Sequence, residues 1–276
     1  MVLASIQWWC SAQGIAWEWK WRSYPGVWLF VALVALGYYL VQRSAAGGDA
    51  RSERFTPRQR VALFAAALLL VWGALDWPIG TLAAGYMATF HQVQLLLLAY
   101  IAPPLLILSL PVAALQRARR HPRAYALLRL VTQPLVAALI ADSIILATHL
   151  PQVVDGLMAT QLGSFAFDFL WLGAGLLLWW PVVAPVPERP GFEGPFPMMY
   201  LFFATTPMIV PAAFMTYAPY PLFTIYEFAP RVYWISAVND QRFGGLIMWI
   251  VGSIIIVLSI AVLFFQWAHR EEQLEA

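Results

Sequence analysis

Residues 89–104 read TFHQVQLLLLAYIAPP: a histidine and two glutamines, then an apolar run, then a double proline. A helix on the surface of a soluble protein would show polar residues on one face at helical spacing. Between Gln94 and Pro103 only Tyr100 carries a polar atom on its side chain. The segment is therefore apolar on all sides, which leaves a fully buried core helix or a membrane span.

The surrounding chain decides between them. Of 276 residues, 62% are hydrophobic and 11% charged, and the mean hydropathy is +0.70. Apolar runs recur at 27–42, 61–75, 93–115, 130–147, 169–186, 198–214 and 245–267. About 20 apolar residues cross a hydrocarbon core of roughly 30 Å, and the run at 61–75 reaches that length with its polar flanks. A soluble core could not enclose so many such segments, whereas helices satisfy their own backbone groups in lipid. The alternation of a transmembrane barrel is absent. The sequence predicts an all-α integral membrane protein, a seven-transmembrane helix bundle over residues 27–268. An N-terminal Trp-rich segment (1–26) precedes it and a cytoplasmic tail (269–276) follows.

Charge orients the bundle. The connection 43–60 holds Arg43, Arg51, Arg54, Arg58 and Arg60 against Asp49 and Glu53, and RARRHPR at 117–123 adds four arginines and no acid. The alternate connections near 76–86 and 148–162 hold Asp76 and Asp155 but no Lys or Arg. Basic residues bias short loops toward the cytoplasm, so the N-terminus is expected outside and the C-terminus inside. RARRHPR could suggest nucleic acid or anionic lipid, but that signal accounts for it without either. Residues 45–49 read as a flexible loop.

Trp8, Trp9, Trp17, Trp19 and Trp21 suggest an interfacial anchor, and no basic region precedes a short apolar stretch as in a cleaved signal. Cys10, the one cysteine, cannot form an internal disulfide, and its simplest role is structural. GxGxxG, Walker A, HExxH, GxSxG and CxxCH patterns are missing, which removes sequence support for nucleotide, hydrolase and c-type haem functions.

The polar residues within the spans gather toward the predicted outer end. His91 opens the third span, His149 closes the fourth, Asp168 lies in the fifth, Met208 and Met215 in the sixth, and Asp240 opens the seventh. Imidazole, thioether and carboxylate together suit copper or another late transition metal. His91, His149, Asp168, Met208 and Met215 are the candidate metal ligands, with Gln94, Asp142, Asp240 and Gln241 as supporting polar groups. The plainer readings stand beside these: structural hydrogen bonds for the histidines, interhelical bonds for the aspartates and flexible packing for the methionines.

Four strings in order, HQVQLLLLAYIAPPLLILSLP (91–111), THLPQVVDGLM (148–158), LLLWWPVVAP (176–185) and NDQRFGGLIMW (239–249), resemble the polytopic cytochrome c oxidase assembly protein CtaG family. The resemblance covers most of the chain from the second span onward. It implies a non-catalytic assembly factor of the bacterial inner membrane that assists copper delivery or cofactor insertion into an oxidase subunit. An oxidase subunit or a copper chaperone is the implied partner. The chain departs from the family where the family carries His-x-x-Gln-His and His-x-x-Glu-His. His91 and Gln94 match the first, but Leu95 takes its second histidine, and Ser164, Phe167 and Asp168 replace the other motif. This identifies a divergent member lacking several of the family's histidines. Two other functions remain open at the level of sequence: a membrane scaffold or partner subunit without metal, and a metal or small-ion transporter.

Overall fold

The computed structural model describes residues 7–45, 55–184 and 192–275, and of Leu115, Ala118 and Glu275 only the backbone. The expected loop at 46–49 and the charges Arg51, Glu53 and Arg54 lie outside the described residues. Proline opens many of the helices, at Pro25, Pro57, Pro122, Pro134 and Pro151. Its fixed φ suits the first helical turn, where the missing N–H costs nothing.

The first two spans are α1 (Pro25–Ala45) and α2 (Pro57–Leu75). Helix α2 starts from a capping box in which Gln59 N donates to the Thr56 hydroxyl at 3.3 Å and Thr56 N donates to the Gln59 amide oxygen at 2.9 Å. The short α3 (Ile79–Gly85) leads into α4 (Ala88–Leu108), the most buried span. Short α5 (Val112–Ala118) and α6 (Pro122–Val131) follow at the far end. Next come α7 (Pro134–Ala147), α8 (Pro151–Met158), α9 (Gln161–Val183) and α10 (Phe196–Tyr217). One turn, α11 (Thr224–Glu227), precedes the long α12 (Ala237–Leu274).

Among the described residues, six helices are individually long and apolar enough to cross a membrane. The expected fourth span is broken: α6 and α7 meet at 70° and make a seventh span only if taken together. Pro134 is the cause, because it drives Gln133 to extended backbone, at φ −61° and ψ 137°, as residues before proline prefer.

Two spans carry a π-helical turn. In α4 it covers Leu96–Ile101, just before Pro103 and Pro104. Pro103 has no N–H to offer the carbonyl of Ala99, so the regular ladder slips there. Gly175 of α9 packs on that carbonyl, where a Cβ would lie 2.5 Å from the Ala99 oxygen. The other turn, Ile247–Val251 in α12, lies between Gly244–Gly245 and Gly252.

The end of the bundle that holds α3, α8 and α11 is tied together by hydrogen bonds between distant segments. Ala12 N donates to the Met158 carbonyl at 3.1 Å, and Thr224 N and Ile225 N donate to the two Asp155 oxygens at 3.1 and 2.9 Å. The Tyr226 hydroxyl donates to the Ala83 carbonyl at 2.6 Å. Leucine, valine, isoleucine and phenylalanine side chains cover the outer faces of α1, α7, α10 and α12. An apolar exterior of that extent is what lipid contact requires. The protein is a multi-pass membrane protein.

Candidate functional site

The motif at the start of α12 holds three helices in place. Asp240 Oδ2 accepts from Ala88 N at 2.7 Å, Oδ1 accepts from Thr89 N at 3.3 Å, and the Asp240 carbonyl accepts from the Thr89 hydroxyl at 2.9 Å. A carboxyl group on the free N–H groups of a helix start satisfies donors that have no partner within the helix. Gln241 serves the opposite neighbour. Its Oε1 accepts from Leu222 N at 2.6 Å, and its Nε2 donates to the carbonyls of Met215 and Tyr220 at 3.2 and 3.4 Å. Gly244 and Gly245 allow the close approach: a Cβ at Gly245 would lie 2.5 Å from Thr216 Oγ1 and 2.8 Å from the Ala212 carbonyl oxygen.

With α4 held in this way, His91 falls inside the bundle. It is 1% exposed, and neither ring nitrogen has a hydrogen-bond partner. Its ring is enclosed by Trp171 (centroids 4.7 Å apart), Phe167 (5.3 Å), Tyr226 (5.7 Å) and His149 (6.5 Å). A neutral imidazole carries one donor and one acceptor, and leaving such groups buried and unmade costs about 1–3 kcal/mol each. This is the least satisfied polar side chain in the cluster.

His149 sits in the turn after α7. Its Nδ1 lies 2.7 Å from the Ile145 carbonyl, an acceptor only, so Nδ1 carries the proton and donates. Burial pulls the ring's pKa down to about 4, against the opposing effect of that bond, so the ring is neutral and Nε2 presents a lone pair. That lone pair faces Gln92 Oε1 at 3.2 Å, while Gln92 Nε2 donates to Met215 Sδ at 3.5 Å. Two acceptors face each other, which a turned amide, a proton or a cation would relieve. A backbone carbonyl that fixes the Nδ1–H tautomer is also how proteins orient a histidine that ligates through Nε2.

The other expected residues separate from this pair. Asp168 Oδ2 accepts from the Trp9 indole N–H at 2.8 Å, and its Oδ1 is buried without a partner. Trp9 itself is 1% exposed and packs edge-on against Phe165, so the N-terminal segment enters the bundle here, while Trp19 and Trp21 lie exposed. Met208 packs instead where a Cβ on Gly252 would lie 2.6 Å from its methyl carbon. Gln94 Nε2 donates to the Ala74 carbonyl at 3.1 Å and ties α4 to α2. Asp142 is half-buried on α7 within electrostatic reach of Tyr100. Cys10 donates its thiol to the Leu75 carbonyl at 3.2 Å. Gln92 is the residue that sequence reasoning missed, and its place directly after His91 was the available signal.

Among the described residues, no three of His, Cys, Asp or Glu are grouped to hold a metal ion. His149 Nε2 faces Gln92 Oε1, the amide nitrogen of Gln92 faces Met215 Sδ, and the ring of His91 lies 6.5 Å from that of His149. A soft cation of low coordination number, such as Cu(I), accepts imidazole and thioether donors.

The model of the cytochrome c oxidase caa3 assembly factors (Caa3_CtaG) matches residues 32–270. The chain belongs to this family. No curated protein and no solved structure matches it. The match spans α1 through most of α12, so the NDQRFGG clamp, His91 and His149 all lie within the CtaG domain, whereas Trp9 and Cys10 precede it.

Proposed function

We propose that the protein is a non-catalytic assembly factor of the bacterial inner membrane. In this reading it receives or steadies a copper ion as cargo on its way into a cytochrome c oxidase subunit. The observation that carries the copper reading is His91, buried with both ring nitrogens unpartnered beside a neutral His149. His149 Nε2 and His91 would be the direct ligands, Met215 would supply a thioether, and Gln92 would orient or complete the set. Asp240 holds the start of α4 and Gln241 holds the end of α10 and the loop after it, which positions these groups. The three positions where the resemblance expects further histidines are Leu95, Ser164 and Asp168, all of them buried. The site is thus proposed as a reduced one, with Met215 in part replacing lost imidazole.

Cu(I) titration of the purified protein beside a His91→Ala/His149→Ala variant tests this. One ion per chain is expected, bound at least about 100-fold more weakly by the double variant, since even outer-sphere changes cost 10–100-fold. Absence of copper from both proteins, with oxidase assembly intact in cells, would overturn copper handling. The engagement of Asp168 by Trp9 favours a second reading, a scaffold that docks an oxidase subunit without metal. Undiminished subunit binding by a metal-free double variant would support it.

A further inference from the structure

The far end of the bundle carries a feature that has no part in the copper site proposed above. Helix α6, PRAYALLRLV, turns away from α7 by 70° and contains no fully buried residue. Leu127 and Leu130 are 61% and 53% exposed, although they stand on one side of a short helix that could have packed inward. Around them lie Arg117, Arg119, Arg120, Arg123 and Arg129, and the whole stretch between Asp76 and Asp142 holds no Asp or Glu. Arg120, Arg123 and Arg129 are exposed, and among the described residues no ion pair or side-chain hydrogen bond engages them.

We propose that α6 lies along the membrane surface and, with the preceding RARRHPR segment, binds the headgroups of anionic phospholipids. When α7 runs along the membrane normal, a helix bent from it by 70° lies close to the membrane plane. Leucines on a helix in that plane enter the boundary between headgroups and acyl chains, while arginines reach the phosphates. Arginine matches phosphate geometry with paired donors. Each basic group near an anionic surface contributes about fivefold in affinity. The absence of acid over the segment means nothing in it opposes that attraction. The prolines serve the arrangement: Pro122 starts α6 and Pro134 enforces the bend that lays it flat.

Native mass spectrometry of the full-length protein, titrated separately with phosphatidylglycerol and phosphatidylcholine, tests the proposal. The wild type should retain phosphatidylglycerol at least about fivefold more readily. Arg120→Gln/Arg123→Gln/Arg129→Gln should remove most of that preference, while the matching lysine variant should keep the larger part of it. Helicity and melting temperature of both variants should match the wild type, because the three side chains are exposed. A wild type without preference, or a glutamine variant that retains it, overturns the proposal. So does displacement of the bound lipid by equimolar inorganic phosphate or a short RNA oligonucleotide, which would mark a general anion site.

Discussion

Trp9 and Asp168 stand 159 positions apart in sequence, yet the indole N–H of one meets the carboxyl of the other at 2.8 Å in the buried interior. An aspartate inside a span is costly unless it has a partner, and this donor arrives from a segment outside the spans. Trp9→Phe keeps the aromatic packing on Phe165 and removes the donor. Thermal unfolding in detergent should show a loss of about 1–3 kcal/mol, the cost of leaving a buried acceptor without its donor. Combined with Asp168→Asn, the two changes should cost less than their sum, and strict additivity would exclude a direct coupling. The sequence made His91, His149, Asp168, Asp240 and Gln241 legible because polar residues stand out in apolar runs. It did not make their partners legible. Residues 91, 92, 94, 95, 96 and 98–100 are all buried, so the central helix has no exposed face, and periodicity cannot tell which of Gln92 and Gln94 faces His149.

At the scale of elements, α12 is joined to α4 by the Asp240 carboxyl group and the close approach of Gly244 to Ala88, and it packs on α10 through Gly245. Asp240→Ala strips the cap from Ala88 N and Thr89 N and should cost about 1–2 kcal/mol, near the upper range for helix caps. Asp240→Asn keeps an acceptor and should recover part of that. The glycines separate by their surroundings. Gly245→Ala drives a methyl group into Thr216 and the Ala212 carbonyl, and overpacking of that kind costs about 1–3 kcal/mol. Gly73→Ala on α2 meets nothing within 4 Å and should be neutral or stabilising by up to about 1 kcal/mol, since alanine is the better helix former. Equal losses from the two alanines, measured as melting temperatures, would contradict the packing described. Helix existence was readable from apolar length. The breaks were less so, because Pro134, with Thr132 and Gln133 before it, stands inside a stretch apolar enough to read as one span, and only local backbone geometry shows the 70° turn it imposes.

For the whole molecule, the path of the chain fixes which segments share a side. The N-terminal segment, α3, α8 and α11 are bonded to one another at one end of the bundle. If α7 completes a crossing, residues 18 and 234 lie on one side and residue 273 on the other. Arginine placement predicts the orientation, with the first pair expected outside. The single cysteine makes this testable. Cys10 is 1% exposed, and burial raises its thiol pKa well above the usual value, a shift to which the nearby Asp168 and Asp76 also contribute. The reactive thiolate is therefore scarce as well as shielded, and the wild type should take up no membrane-impermeant maleimide while folded. Against that silent background, Glu18→Cys and Trp234→Cys should label in intact cells, and Gln273→Cys only after permeabilisation. Labelling of residues 18 and 234 from opposite sides would mean that α6 and α7 form a re-entrant hairpin and that the bundle has six crossings. The reverse pattern, with 273 alone labelled in intact cells, would keep the seven crossings and invert the protein, placing the His91–His149 end in the cytoplasm.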